Sequence, residues 1–293
     1  MRKVLKKGEI TLLLPEGEGG GLSGEVHLVR YDNQKYVVRR CETLKIARGY
    51  EAISKKFEKD GFLPKFLGRF GKDVLYEYIE GRDLKQKESK KVLYQLGQIA
   101  AYISKKKMKS KTYPRFFVQL KELLTGEYKV TVKEKERMRR NKIKMKRFKP
   151  AISKEQSEEI TKVHNYLKKK LRPAIYFDAN DIIPGNFRID KKGKVYFVDI
   201  EAIRPRIKGF GIAKFFLKWG KKKWSKDVFK KGYSSVASLK YLTQEYLDFL
   251  YLNFIIQSMN YKYKIYGGKS SKNIFPDRLK EILERYQTVT SQT

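Results

Sequence analysis

Asp181 and Asn186 stand five residues apart around a Pro184-Gly185 turn, and the apolar run Val195-Tyr196-Phe197-Val198 then ends in Asp199. These are the groups that phosphoryl transfer from a nucleotide needs. One carboxylate orients the attacking hydroxyl, while an amide and a second carboxylate hold metal ions on the phosphates. Hard oxygen donors of this kind suit Mg2+, which takes few ligands from protein and the rest from phosphate and water. Such a set also arises by coincidence, so the reading depends on whether the rest of the chain supplies a nucleotide end.

The elements that would supply it lie near the N-terminus. Residues 8–41 read as three short strands, Ile10 to Leu14, Glu25 to Tyr31 and Tyr36 to Cys41, the last two forming a hairpin around Asp32-Asn33. Between the first two runs the spacing Gly19-x-Gly21-x-x-Gly24-x-Val26. Followed by a helix it would mark a dinucleotide site; followed by a strand it reads as a flap over ATP phosphates. Gly19, Gly21, Ser23, Gly24 and Val26 are therefore candidates for covering the phosphates, against the alternative of a flexible loop without a ligand. Arg39 stands on the third strand where a phosphate-binding cation belongs, with a fork that suits phosphate oxygens or a carboxylate. Apolar Ile46, Tyr50, Ile53 and Phe57 predict a helix over 44–59. Glu51 on that helix is the natural partner of Arg39, and Glu42 competes for the role. Two further strands are expected at Phe62 to Leu67 and Val74 to Ile79. The second runs through Glu77, Tyr78 and Ile79 into Glu80-Gly81, where a hinge would offer backbone groups to an adenine.

Beyond about residue 86 the pattern turns helical. Leu93, Leu96, Ile99, Ala100 and Ile103 share one face, and Ser153-x-x-Gln156 resembles a capping box before an amphipathic helix closed by Pro173. Helices are also expected at about 209–219, 234–260 and 277–287. Trp219, Trp224, Tyr241, Tyr246, Phe249, Tyr251 and Phe254 either line a pocket or form helix core. His27 and His164, the only histidines, lie mid-strand and on an amphipathic helix, far from any ligand or nucleophile pattern.

Composition narrows the class. At 293 residues with 41% hydrophobic and 13% aromatic content, the chain is globular and large enough for one big domain or two lobes. Cys41 is the only cysteine, which excludes an intrachain disulfide or a cysteine-based zinc site and suits a reducing interior. No apolar run approaches the roughly 18 residues of a membrane span, so a cytoplasmic protein is expected. The net charge of +36 reads either as a lysine-rich background or as attraction to a polyanion. It concentrates at 129–149, where eleven Lys and Arg face only Glu134 and Glu136, and again at 218–231. If functional, these runs would track a nucleic-acid backbone, an anionic membrane surface or a phosphorylated sugar.

Taken together, the Gly-rich loop, Tyr36-Val37-Val38-Arg39, Tyr76-Glu77-Tyr78-Ile79-Glu80-Gly81, Asn180-Asp181-Ile182-Ile183-Pro184-Gly185-Asn186 and Asp199-Ile200-Glu201 resemble the protein-kinase-like superfamily, in its order. Gly209 to Phe216 and the helical insertion at about 105–172 are similar to the aminoglycoside phosphotransferase and choline kinase branch. The resemblance covers about residues 8–220. It implies Asp181 as the catalytic carboxylate, Asn186 and Asp199 as magnesium ligands, and Glu77 to Ile79 as the adenine hinge. It also implies Arg39 with Glu51 in place of the usual Lys–Glu pair. Asp178 is preferred less than Asp181, because only Asp181 has the five-residue separation from Asn186. Ala179 departs from the family's usual His, and Arg39 from its usual Lys.

The expectation is an α+β, two-lobed protein-kinase-like fold. Residues 1–80 would form a small β-rich nucleotide-binding lobe, and 81–293 a larger helical lobe for catalysis and substrate. The expected activity is an ATP- and Mg2+-dependent transfer of the γ-phosphoryl group to a hydroxyl of a small molecule, anionic ones included. The alternatives are a protein or lipopolysaccharide-sugar kinase of the same fold, or a kinase-like pseudokinase that binds nucleic acid through 129–149.

Overall fold

The computed structural model describes residues 11–12, 24–85, 87–107, 116–128, 130–140, 150–220, 222–266 and 276–290. They divide into two compact units, one drawn from Met1–Lys106, Phe177–Arg204 and Lys218–Ser238, the other from Lys107–Tyr176, Pro205–Leu217 and Leu239–Thr293.

In the first unit, strands rich in β-branched and aromatic residues build an antiparallel sheet of order β1-β2-β3-β5-β4. The strands are β1 (Thr11–Leu12), β2 (Gly24–Tyr31), β3 (Gln34–Cys41), β4 (Phe66–Phe70) and β5 (Asp73–Glu77). Asp32 and Asn33 turn β2 into β3 with φ of 47° and 56°. This left-handed pair matches the twist of a two-residue hairpin, and Asx residues tolerate it. Helix α1 (Leu44–Phe57) starts where the Thr43 hydroxyl accepts from the Ile46 N–H at 3.2 Å, and it buries Ala47, Tyr50, Ser54 and Phe57. Cys41, at the end of β3, is 1% exposed.

A second sheet in this unit runs β6-β8-β9, from β6 (Gly81–Asp83), β8 (Phe187–Asp190) and β9 (Val195–Phe197). Strand β7 (Ile175–Ala179) precedes β8 and pairs with β10 (Ile203–Ile207). Helices α2 (Lys90–Ser104) and α7 (Lys223–Ser234) pack together through Gly97 and Gly232. A Cβ on Gly97 would lie 2.1 Å from the Phe229 carbonyl oxygen, and one on Gly232 would lie 1.9 Å from that of Tyr94. Only glycine permits this approach. The buried Ser104 and Tyr233 hydroxyls close the same interface with a short hydrogen bond.

The second unit is helical: α3 (Phe116–Thr125), α4 (Val132–Arg140), α5 (Lys154–Leu171), α6 (Phe210–Lys218), α8 (Gln244–Tyr266) and α9 (Pro276–Thr290). The capping box of α5 forms as its sequence implies, with Ser153 and Gln156 each accepting from the other's backbone N–H. Helix α8 is buried around nearly its whole circumference and packs against α3, α4, α5 and α9. Its Asp248, fully buried, accepts from Arg278 at 3.3 Å, from Tyr286 at 3.2 Å and from Arg285. Another buried ion pair joins Lys264 to Glu122 at 3.2 Å, with Asn260 donating to the same carboxylate at 2.8 Å. His164 of α5 stacks on Phe116 with ring centroids 3.8 Å apart.

The fold class is α+β, as the sequence implies, but several boundaries move. The strand expected at Phe62 to Leu67 lies later, at Phe66–Phe70. Phe62 and Leu63 are buried without strand pairing, and Pro64 offers no N–H to a ladder. The helix expected at 234–260 is α8, starting later at Gln244, and α7 at Lys223–Ser234 is not among the expected helices. The aromatics Tyr246, Phe249, Tyr251 and Phe254 are buried core, whereas Trp224 is exposed. Within the described residues, no helix is long and apolar enough to cross a membrane. Of the basic run at 129–149, residues 129 and 141–149 lie outside the described residues.

Candidate active site

The segment between β7 and β8, residues 180–186, forms no α-helix or strand, because Pro184 and Gly185 interrupt both. It and the residues that follow are held by backbone hydrogen bonds to their surroundings. The Asn180 N–H donates to Ala202 O at 2.9 Å, Val198 N–H to Asn186 O at 2.8 Å, and Phe197 N–H to Phe62 O at 2.8 Å. Pro184–Asn186 make a single 3-10 turn, in which the Asn186 side-chain amide donates to Asp181 O at 2.8 Å. That bond uses the amide nitrogen and leaves the amide oxygen as an acceptor. The Asp181 carboxylate accepts from the Asn180 amide at 3.1 Å.

These groups face a cavity of about 730 Å³ in the first unit. Asp181, Asn186 and Asp199 line it, together with Val26 and Arg39 and the residues expected to form a hinge, Glu77, Tyr78 and Ile79. The sequence-predicted set is therefore largely gathered in one place. Gly24 opens β2, opposite Cys41. Gly19, Gly21 and Ser23 lie outside the described residues. Asp178 is buried and does not line the cavity.

Glu51 is the exception. It pairs with Arg69 Nε at 2.6 Å and Lys55 Nζ at 2.7 Å, and these two hydrogen bonds, Lys55's first, hold its carboxyl down at about 2. The expected Arg39–Glu51 pair does not form. One residue along a helix is a rotation of about 100°, and it is Tyr50 that faces Arg39. The guanidinium donates to the Tyr50 hydroxyl at 2.7 Å and lies 5.1 Å from the ring centroid.

Two oxygen donors, Asn186 and Asp199, are available for a metal. Burial pushes the Asp199 carboxyl above its usual range, with the nearby Arg39 opposing that shift and Glu201 adding to it. A half-buried carboxylate and an amide oxygen lining one cavity make a donor set that a hard divalent cation satisfies, so the residues fit Mg2+. Among the described residues, no cluster of three or more His, Cys, Asp or Glu side chains forms a cage of its own. An ion here would complete its shell from phosphate and water.

The cavity contains residues that sequence patterns did not single out. Arg188, two positions after Asn186, donates to Gly81 O at 2.6 Å and lies 5.3 Å from the Tyr78 ring centroid. Arg204 grips Glu201 at 2.6 Å. Their signal was the offset from recognised motif residues, which the Lys and Arg density of the chain conceals.

The match to the choline/ethanolamine kinase family runs over residues 20–272, most of the chain. The chain belongs to the choline/ethanolamine kinase family. It is a kinase, a phosphotransferase acting on small molecules. Solved structures share its fold at low identity. The choline kinase LicA from Streptococcus pneumoniae is 15% identical with a TM-score of 0.59, over 96% of this chain and 94% of that one. A Plasmodium vivax ethanolamine kinase is 15% identical with a TM-score of 0.56, over 97% and 82%. A spectinomycin phosphotransferase solved with ADP and spectinomycin is 14% identical with a TM-score of 0.52, over 97% and 93%. These place the fold in the two-lobed protein-kinase-like class, with a small antiparallel-sheet region and a larger helical one. No curated protein matches the chain by sequence.

Proposed function

We propose that this kinase transfers the γ-phosphoryl group of ATP, with Mg2+, to the hydroxyl of a small amino alcohol of the choline or ethanolamine type. The observation that carries this reading is the gathering of Asp181, Asn186, Asp199 and Arg39 in one cavity with the Glu77–Ile79 segment. Family membership favours the amino-alcohol acceptor over the anionic one that the basic runs call to mind.

In this reading Asp181 accepts a hydrogen bond from the acceptor hydroxyl and takes its proton as the oxygen attacks the γ-phosphorus. The Asn186–Asp181 bond fixes the loop so that the carboxylate is already aimed when substrate arrives. Asn186 and Asp199 would hold Mg2+ through their oxygens. Held there, Mg2+ would supply charge neutralisation to the phosphate oxygens. Arg39 brings a permanent cation to the same phosphates, and the backbone at Glu77 to Ile79 meets the base. Residues 1–80 would serve as the nucleotide-binding lobe and 81–293 as the catalytic and substrate lobe. Such a reaction belongs where ATP and Mg2+ are abundant, in the cytoplasm.

The test is a turnover assay with γ-labelled ATP over a panel of choline, ethanolamine, aminoglycosides and phosphorylated sugars. Labelled product from an amino alcohol, with kcat reduced about 10²–10⁴-fold in Asp181→Asn, is the expected result. Turnover confined to the sugars would move the acceptor to the anionic class, and no Mg·ATP-dependent turnover on any of them would sink the reading.

A further inference from the structure

We propose that Tyr50 is a positioning residue for phosphoryl transfer, holding the Arg39 guanidinium in place of the helix carboxylate that such a cation would otherwise engage. The inference rests on the phosphotransferase reading above. Tyr50 is 4% exposed, yet it lines the cavity, as do Arg39, Glu201 and Arg204. Its side chain meets Arg39 in two ways at once. The hydroxyl oxygen accepts from Nη1 at 2.7 Å, and the ring offers its face to the cation at 5.1 Å. The same hydroxyl directs its hydrogen toward the Glu201 carboxylate, 3.5 Å away. Glu201 is fixed in turn by Arg204, which donates to its side chain at 2.6 Å and to its carbonyl at 2.7 Å. A chain of polar contacts therefore runs from β3 through α1 to the residues just after Asp199.

The chemistry explains why a phenol serves here. A carboxylate partner would orient Arg39 but would also cancel most of its charge. A neutral hydroxyl and an aromatic face orient the guanidinium without themselves neutralising it, as a carboxylate in their place would. Two attachments on one side chain also restrict the rotation of a long, flexible arginine, so less entropy remains to be lost when the nucleotide arrives. The nearest helix carboxylate, Glu51, is already committed to Arg69 and Lys55. Tyr50 is thus the group on α1 that couples this helix to the candidate phosphate cation.

The experiment uses the full chain and compares wild type with Tyr50→Phe, which keeps the ring and removes the hydroxyl. Steady-state kcat and KM for ATP, thermal unfolding and Mg·ATP binding are measured for each. We expect kcat/KM for ATP to fall about tenfold or more, with the unfolding temperature moved by only a few degrees. Arg69→Gln, which disrupts the neighbouring Glu51 pair, should stay within about twofold of wild type. Because Tyr50 acts through Arg39, Tyr50→Phe should cost little more when added to Arg39→Gln. Wild-type kinetics in Tyr50→Phe, or losses that multiply independently in the double variant, would overturn the inference alone. A wild-type chain that neither binds nor turns over Mg·ATP would overturn the phosphotransferase reading and this inference with it.

Discussion

The Val198 N–H donates to the Asn186 carbonyl oxygen at 2.8 Å, tying the residue beside Asp199 directly to the other candidate metal ligand. One backbone hydrogen bond thus ties together the two segments that carry the oxygen donors. Asn186→Ala and Asp199→Ala should each abolish the thermal stabilisation given by Mg·ATP. Combining them should add nothing further, because a hard cation that loses one of two protein ligands has already lost its site. Thermal unfolding with and without Mg·ATP checks this. Undiminished stabilisation in either variant would remove that residue from the metal site.

The glycine contact between α2 and α7 yields a prediction about stability alone. Gly97→Ala or Gly232→Ala would put a methyl within about 2 Å of a backbone carbonyl oxygen, which no rotamer can relieve. The helices must part, and overpacking of this kind costs about 3 kcal/mol. Urea unfolding reads the loss directly. A change below about 0.5 kcal/mol in both variants would mean that the helices separate freely.

His164 gives the pH dependence a definite sign. Burial, with Lys168 nearby, lowers its pKa from 6.5 to about 4. As pH falls through 6.5 the unfolded chain takes up a proton that the folded chain refuses. Stability is therefore lost between about pH 6.5 and pH 4, by about 3 kcal/mol at the low end. His164→Phe keeps an aromatic ring against Phe116 and removes the titration. The difference in unfolding free energy between wild type and variant should shift by about 2.4 kcal/mol between pH 7 and pH 4.5, and a pH-independent difference would contradict it.

Asp248 is a charge without water, held by Arg278, Arg285 and Tyr286. Replacing it by Ala strands the arginines at the face of α8. A loss of 3–5 kcal/mol is expected, as for other broken buried pairs. Asp248→Asn should cost less, since the amide oxygen still accepts. Chemical denaturation of the two variants distinguishes these outcomes.

Local signals were the most legible in the sequence. The Asp32-Asn33 hairpin and the Ser153–Gln156 capping box depend on residues a few positions apart, and both form. The Asp181–Asn186 spacing on a Pro-Gly turn could likewise be read, and the structure brings both residues to one cavity with Asp199. Helix α7 was hidden because its lysines dominate the composition, while the face that decides its existence, Ser225, Phe229, Gly232 and Tyr233, acts only by packing on α2. The choice between Tyr50 and Glu51 was equally out of reach. Adjacent helix residues differ by about 100° in direction, and which one faces β3 depends on how the helix is rolled onto the sheet.

Cys41 gives the molecule its own clock. The thiol is 1% exposed, and burial pushes its pKa up, so a thiol reagent meets it only when the sheet around β3 opens. As the only cysteine, it produces a single labelling rate from the unmodified protein. Measured against reagent concentration, that rate reports the free energy of local opening two residues from Arg39. Slower labelling in the presence of a nucleotide would register occupancy of the neighbouring cavity without any assay of turnover.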